Sequence, residues 1–188
     1  MLRKVLAFAV CTGLAASFAV LAAEAPKSGP AGGEYAGANK CRVCHAKEYK
    51  AWLGADTKHA QALETLKATT PDQLEKMNEL LKTSVTDPAG DSACVRCHVT
   101  GYGQPGGYPA SDSLKNAGLS FVGCEDCHGP ASRHLTIPMS DKAARKASMV
   151  LPAAENCVKC HTPEMSPKFD FATWSQRVHP IAAAAPAK

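Results

Sequence analysis

Eight of the nine cysteines fall into four copies of one five-residue pattern: Cys41-Arg-Val-Cys44-His45, Cys94-Val-Arg-Cys97-His98, Cys124-Glu-Asp-Cys127-His128 and Cys157-Val-Lys-Cys160-His161. Two thiols three positions apart on a helical turn can add to the two vinyl groups of one porphyrin. The next residue then places an imidazole over the iron. The pattern predicts four covalently attached haem c groups, with His45, His98, His128 and His161 as proximal iron ligands. Other chemistries fit the spacing less well. Disulfide frameworks do not require a histidine after every second cysteine. Zinc sites complete themselves with two Cys-x-x-Cys pairs and need no histidine at four identical places. A thioredoxin-like redox motif occurs once per domain.

The chain has seven histidines, so His59, His134 and His179 remain after the proximal ligands are assigned. Iron in haem c commonly takes a second His or a Met on its other face. Three spare imidazoles among four irons predict three bis-histidine haems and one without a second protein imidazole. That fourth iron can bind a small molecule, take Met139, Met149 or Met165, or be completed by a neighbouring chain. Met77 lies on an apolar helical stripe and reads as a core residue.

These groups need elements to position them. With few aromatic residues and many Gly and Pro, the chain can bury only a modest core of its own, so the cofactors must fill the interior. The expected fold is a mainly α, single-domain multihaem cytochrome over residues 39–180, built around the haems. Ahead of it, residues 1–23 read as a signal peptide: Arg3 and Lys4, an apolar run from Val5 to Leu21, then Ala22 and Ala23. This predicts export to the periplasm with no stable membrane span after cleavage. Residues 24–38 read as a flexible leader and 181–188 as a disordered tail.

Helices are expected at Lys47 to Leu53, at Lys58 to Lys67, and from Thr70 onwards, where Pro71 and Gln73 complete a capping box. Further helices are expected over 141–149 and from Asp170 to Val178, the last placing His179 at its end. Thr100 to Pro109 is too rich in Gly and Pro for helix or central strand, and reads as a shaped loop beside the second motif, where Tyr102 and Tyr108 could line the haem. Two of the four net positive charges belong to Arg3 and Lys4, and the haem propionates outweigh the rest. Nothing supports nucleic-acid binding. No general acid, nucleophile or phosphate loop is evident, so the expected role is electron carrier between a redox donor and acceptor, not enzyme.

Three stretches resemble the tetrahaem cytochrome c-554 family: Lys40 to His45 followed by Trp52 and His59-Ala60; Cys94 to Val99 followed by Gly101-Tyr-Gly-Gln104 and Gly106-Gly-Tyr108; and Val122 to Pro130. The resemblance implies parallel stacked haem pairs, first with third and second with fourth. It implies three bis-histidine haems and a five-coordinate second haem on His98. It assigns His59 to the third haem, His134 to the first and His179 to the fourth. It further implies a periplasmic carrier taking electrons from a hydroxylamine oxidoreductase-like enzyme. Two other functions compete: binding or reduction of a small molecule such as nitric oxide at the five-coordinate haem, and assembly into an extracellular cytochrome filament.

Overall fold

A computed structural model describes residues 33–55 and 57–178. The expected signal peptide and tail, most of the expected leader, and His179 lie outside the described residues. Among those described, the regular structure is helical with no strand: α1 (Ala38–Cys41), α2 (Ala46–Leu53), α3 (Ala62–Lys67), α4 (Pro71–Leu81), α5 (Ser92–Val95), α6 (Ser113–Ala117), α7 (Cys124–His128), α8 (Ser132–Thr136), α9 (Lys142–Ala147), α10 (Ala154–Cys157) and α11 (Phe171–Val178). Most are one or two turns long. Such helices are marginal alone and depend on what they pack against.

Local signals account for several ends. Thr70 Oγ1 accepts from the Gln73 amide at 3.3 Å while Gln73 Oε1 accepts from the Thr70 amide at 2.9 Å, the reciprocal cap expected for α4. Asp170 Oδ1 accepts from the Thr173 amide at 2.9 Å and caps α11. The stripe Leu74, Met77 and Leu81 lies on one side of α4, but no residue of that helix is fully buried. Met77 is therefore half-buried and not a core residue: a helical period marks a face without specifying how deeply it is covered.

The core made by protein atoms is small. Leu63, Leu66, Val95 and Val99 form one cluster, with Cys94, Tyr102 and Tyr108 packed against it. The expected loop over 100–109 thus sets its two tyrosines beside the second motif. Its glycines are sterically required. Gly101 has φ +62° with the Tyr35 ring pressed on its α-carbon, and a side chain at Gly107 would collide with the Gly101 carbonyl oxygen. Gly107→Ala is accordingly expected to lower the melting temperature of the holoprotein and to perturb the second haem's spectrum. Unchanged melting and spectrum would show that the loop relaxes freely.

The hub is α7. Glu125, 1% exposed, accepts backbone N–H bonds from Ala36 at 2.9 Å, Gly37 at 2.8 Å and Ala131 at 2.8 Å. Asp126 accepts from Gly123 at 2.8 Å and Gly101 at 3.2 Å. Two adjacent carboxylates inside the third motif therefore tie together residues 36–37, the loop and the start of α8. The leader expected over 24–38 is anchored at its end: Glu34 N–H donates to Ser132 Oγ, Tyr35 N–H to Pro105 O and Ala38 N–H to Gly118 O.

Candidate haem sites

Each motif is a single turn of helix. The amides of His45 and His161 donate to Cys41 O and Cys157 O at 2.9 Å, and that of His98 to Val95 O at 2.8 Å. This wrap puts both sulfurs on one side with the imidazole following. No disulfide joins the eight motif cysteines, so every sulfur is available for attachment.

The motifs are neighbours in a definite order. Cys41 lies beside Cys124, joining the first and third motifs, and Cys160 lies beside Cys97, joining the fourth and second. Cys127 lies close enough to Cys157 to feel its charge, and α10 packs on α7, linking third to fourth. The sulfur contacts join the same motifs, first with third and second with fourth, that the resemblance implied would stack. Together they trace the line first, third, fourth, second.

Two spare histidines meet motif histidines. The rings of His45 and His134 have centroids 6.3 Å apart, and those of His59 and His161 6.0 Å apart. A metal–imidazole bond of about 2 Å puts the ring centre about 1 Å further out, so two imidazoles on one metal have centres about 6 Å apart. Both pairs fit an iron held between them. Among the described residues no three His, Cys, Asp or Glu side chains converge as a protein-only metal site. Two of the four units present a facing pair of imidazoles as iron donors, while the two cysteines of each motif are the attachment points for a porphyrin and not ligands to its iron.

The His59 ring lies elsewhere than the resemblance implies. The resemblance set His59 against the third motif, but its ring faces the fourth. Its carbonyl accepts from the Val122 amide at 3.1 Å, so the backbone lies beside the third motif while the side chain projects to His161. His134 faces the first motif. His179 lies outside the described residues.

Hydrogen bonds orient most of the rings. His98 Nδ1–H donates to Ala62 O at 2.8 Å and His128 Nδ1–H to Val150 O at 3.0 Å, while His161 Nδ1 lies 3.0 Å from Ser166 Oγ. A proton on Nδ1 leaves the lone pair on Nε2, the form that binds metal. Burial lowers the pKa of His59, His134 and His161, which keeps them neutral. His59 Nδ1 is buried with no protein partner. Among the described residues, no histidine ring stands opposite His98. None of these second partners was visible in the sequence, because carbonyls such as those of Ala62 and Val150 occur at every position.

Short helices, four Cys-x-x-Cys-His turns and imidazoles set in facing pairs define a helical multihaem c-type cytochrome. Residues 40–129 match the family described as cytochrome c554 and c-prime. Cytochrome c-554 of Nitrosomonas europaea is 40% identical over 110 residues, which span 58% of this chain and 41% of that relative. The solved reduced state of cytochrome c554 from the same organism superposes with a TM-score of 0.58 at 26% identity, covering 79% of this chain and 85% of that one. The chain is thus similar to cytochrome c554 over residues 40–129, and its four Cys-x-x-Cys-His motifs are those of a c-type cytochrome with four covalent haem c groups.

Proposed function

We propose that the protein is a periplasmic electron carrier that moves single electrons along the line of its four motifs. The observation carrying this reading is the order of contacts, Cys41 with Cys124, Cys127 with Cys157 and Cys160 with Cys97. It brings every motif against the next, so electrons need only short outer-sphere steps. Bound haem supplies the one-electron iron couple. The chain's residues do the rest. The eight cysteines would attach the groups; His45, His98, His128 and His161 would each ligate the iron of their own motif's haem, with His134 and His59 as second ligands for the first and fourth. The carbonyls of Ala62 and Val150 hold two of the proximal rings in place. Bis-histidine ligation favours low potentials, which suits acceptance from a strongly reducing donor. An enzyme of the hydroxylamine oxidoreductase type is the donor the family likeness favours. No described helix is long and apolar enough to cross a membrane.

Rapid mixing of oxidised holoprotein with such an enzyme turning over hydroxylamine tests the reading. All four haems are expected to become reduced at a rate that depends on the enzyme concentration. Failure of every haem to accept electrons, with redox mediators nevertheless reducing them, would exclude this donor class.

A second activity rests on His98, which has no facing histidine among the described residues and sits by the apolar cluster of Leu63, Leu66, Val95 and Val99. The second haem is then a site for a small neutral ligand such as nitric oxide. With His134 and His59 serving the first and fourth haems, and His179 then left to serve the third, electron paramagnetic resonance of the oxidised protein is expected to show one high-spin haem beside three low-spin ones. An entirely low-spin spectrum would remove this site.

A further inference from the structure

The fourth motif is followed at once by a segment that closes back on its own histidine. Thr162 to Phe169 reads Thr-Pro-Glu-Met-Ser-Pro-Lys-Phe. Ser166 N–H donates to Thr162 O at 2.8 Å, Met165 N–H to Thr162 Oγ1 at 3.3 Å, and Phe169 N–H to Ser166 O at 2.9 Å. Pro163 and Pro167 fix φ within the same stretch, so less freedom is lost when it orders. Two side chains of this braced turn reach the His161 ring. Ser166 Oγ lies 3.0 Å from Nδ1, and the Phe169 ring stacks on the face, with centroids 4.5 Å apart and an interplanar angle of 10°.

These contacts leave Nε2 clear. Among the described residues no hydrogen bond engages that nitrogen of His161. The ring can therefore bind iron through Nε2 while Nδ1–H still donates to Ser166 Oγ. The acceptor differs in kind from those at two other motifs, where His98 donates to Ala62 O and His128 to Val150 O. Every residue supplies a carbonyl, so those bonds do not depend on which side chain stands at 62 or 150. At His161 the acceptor is itself a side chain, and residue 166 decides its strength. A neutral hydroxyl accepts more weakly than a carboxylate. A stronger acceptor makes the imidazole more basic and favours the ferric iron it binds.

We propose that Ser166 is a positioning residue that sets the reduction potential of the fourth haem, through the hydrogen bond its hydroxyl accepts from Nδ1–H of His161. Phe169 holds the ring plane in which that bond forms. The proposal rests on the reading of His161 as the fourth haem's proximal ligand. Its consequence follows from position, since the fourth motif is an inner member of the line first, third, fourth, second. An electron that reaches an inner haem is passed on or held, and the potential there decides which.

Spectroelectrochemical titration of the holoprotein tests this. Ser166→Asp supplies an ionised acceptor. One of the four couples is expected to move down, its electron occupancy at a fixed applied potential falling about tenfold. Ser166→Ala removes the acceptor and is expected to move the same couple up. Ser166→Thr keeps the hydroxyl and is expected to retain the wild-type value. A role confined to folding would lower the melting temperature without moving one couple in opposite directions. Four couples that match the wild type in both the Ala and Asp variants, or that move the same way in both, would overturn the proposal. Phe169→Ala is expected to shift the g values of one low-spin haem, and unchanged g values would strike Phe169 from it. Peptide mapping by mass separates the two layers of argument: the wild type is expected to carry a haem on Cys157 and Cys160. Absence of that haem would sink the reading on which the proposal rests. Its presence, with no couple moved, would remove only the role of Ser166.

Discussion

Replacing His59 with alanine is expected to turn one low-spin haem high-spin, to raise that haem's potential, and to do so at the fourth haem. The centroid separation of 6.0 Å between His59 and His161 is that of two imidazoles on one metal. His59 is half-buried, and its Nδ1, itself buried, has no protein partner that would give the ring a different purpose. Burial lowers its pKa, so at neutral pH it carries no proton that would block ligation. Losing one imidazole of a bis-histidine pair removes the ligand field that keeps the iron low-spin and favours low potential.

Added imidazole is expected to restore the low-spin signal in His59→Ala, an outcome no purely structural role would give. The identity of the affected haem follows from two backgrounds. In a variant lacking the fourth attachment, Cys157→Ala with Cys160→Ala, the His59 substitution should have no further spectral effect. In one lacking the third, Cys124→Ala with Cys127→Ala, any holoprotein that folds should still show it. The opposite pattern would return His59 to the third haem, as the family likeness first implied.

That reversal shows where sequence reading stops. The four motifs and their proximal histidines are visible because attachment chemistry demands fixed residues at fixed spacing. The capping box at Thr70 and the cap at Asp170 are equally local, and α4 and α11 begin where those residues place them. The Gly- and Pro-rich run at 100–109 announces a loop, and the loop is there. Pairing of distant imidazoles is different. His59 lies fourteen residues past His45 in sequence, yet its ring meets His161, because the chain must fold back so that its carbonyl reaches the Val122 amide. Nothing within a few residues of His59 encodes that turn.

Glu125 was legible as a motif residue but not as a fastener, and its removal carries the largest expected stability effect. Glu125→Ala is expected to destabilise the holoprotein by about 3 kcal/mol or more, since it leaves three backbone N–H groups without their acceptor. For a chain of this size that is a fall of roughly 6–12 °C in melting temperature. Burial raises the pKa of Glu125 while the three N–H bonds from Ala36, Ala131 and Gly37 lower it. The donors therefore act as the counter-charge that a buried carboxylate otherwise lacks. Glu125→Gln should recover part of the loss, because its amide oxygen can still accept from Ala36 and Ala131 while its NH₂ would face the Gly37 N–H. The exposed Glu164 serves as the control: replacing it by Gln should change the melting temperature by less than about 0.5 kcal/mol equivalent. The damage should also be directional. Residues 36–37 and the start of α8 depend on Glu125, so amide exchange is expected to quicken there first, and α4, which shares none of these bonds, should keep its protection. Uniform loosening of the whole chain would mean that α7 is not the hub, and that the attached cofactors alone hold the segments together.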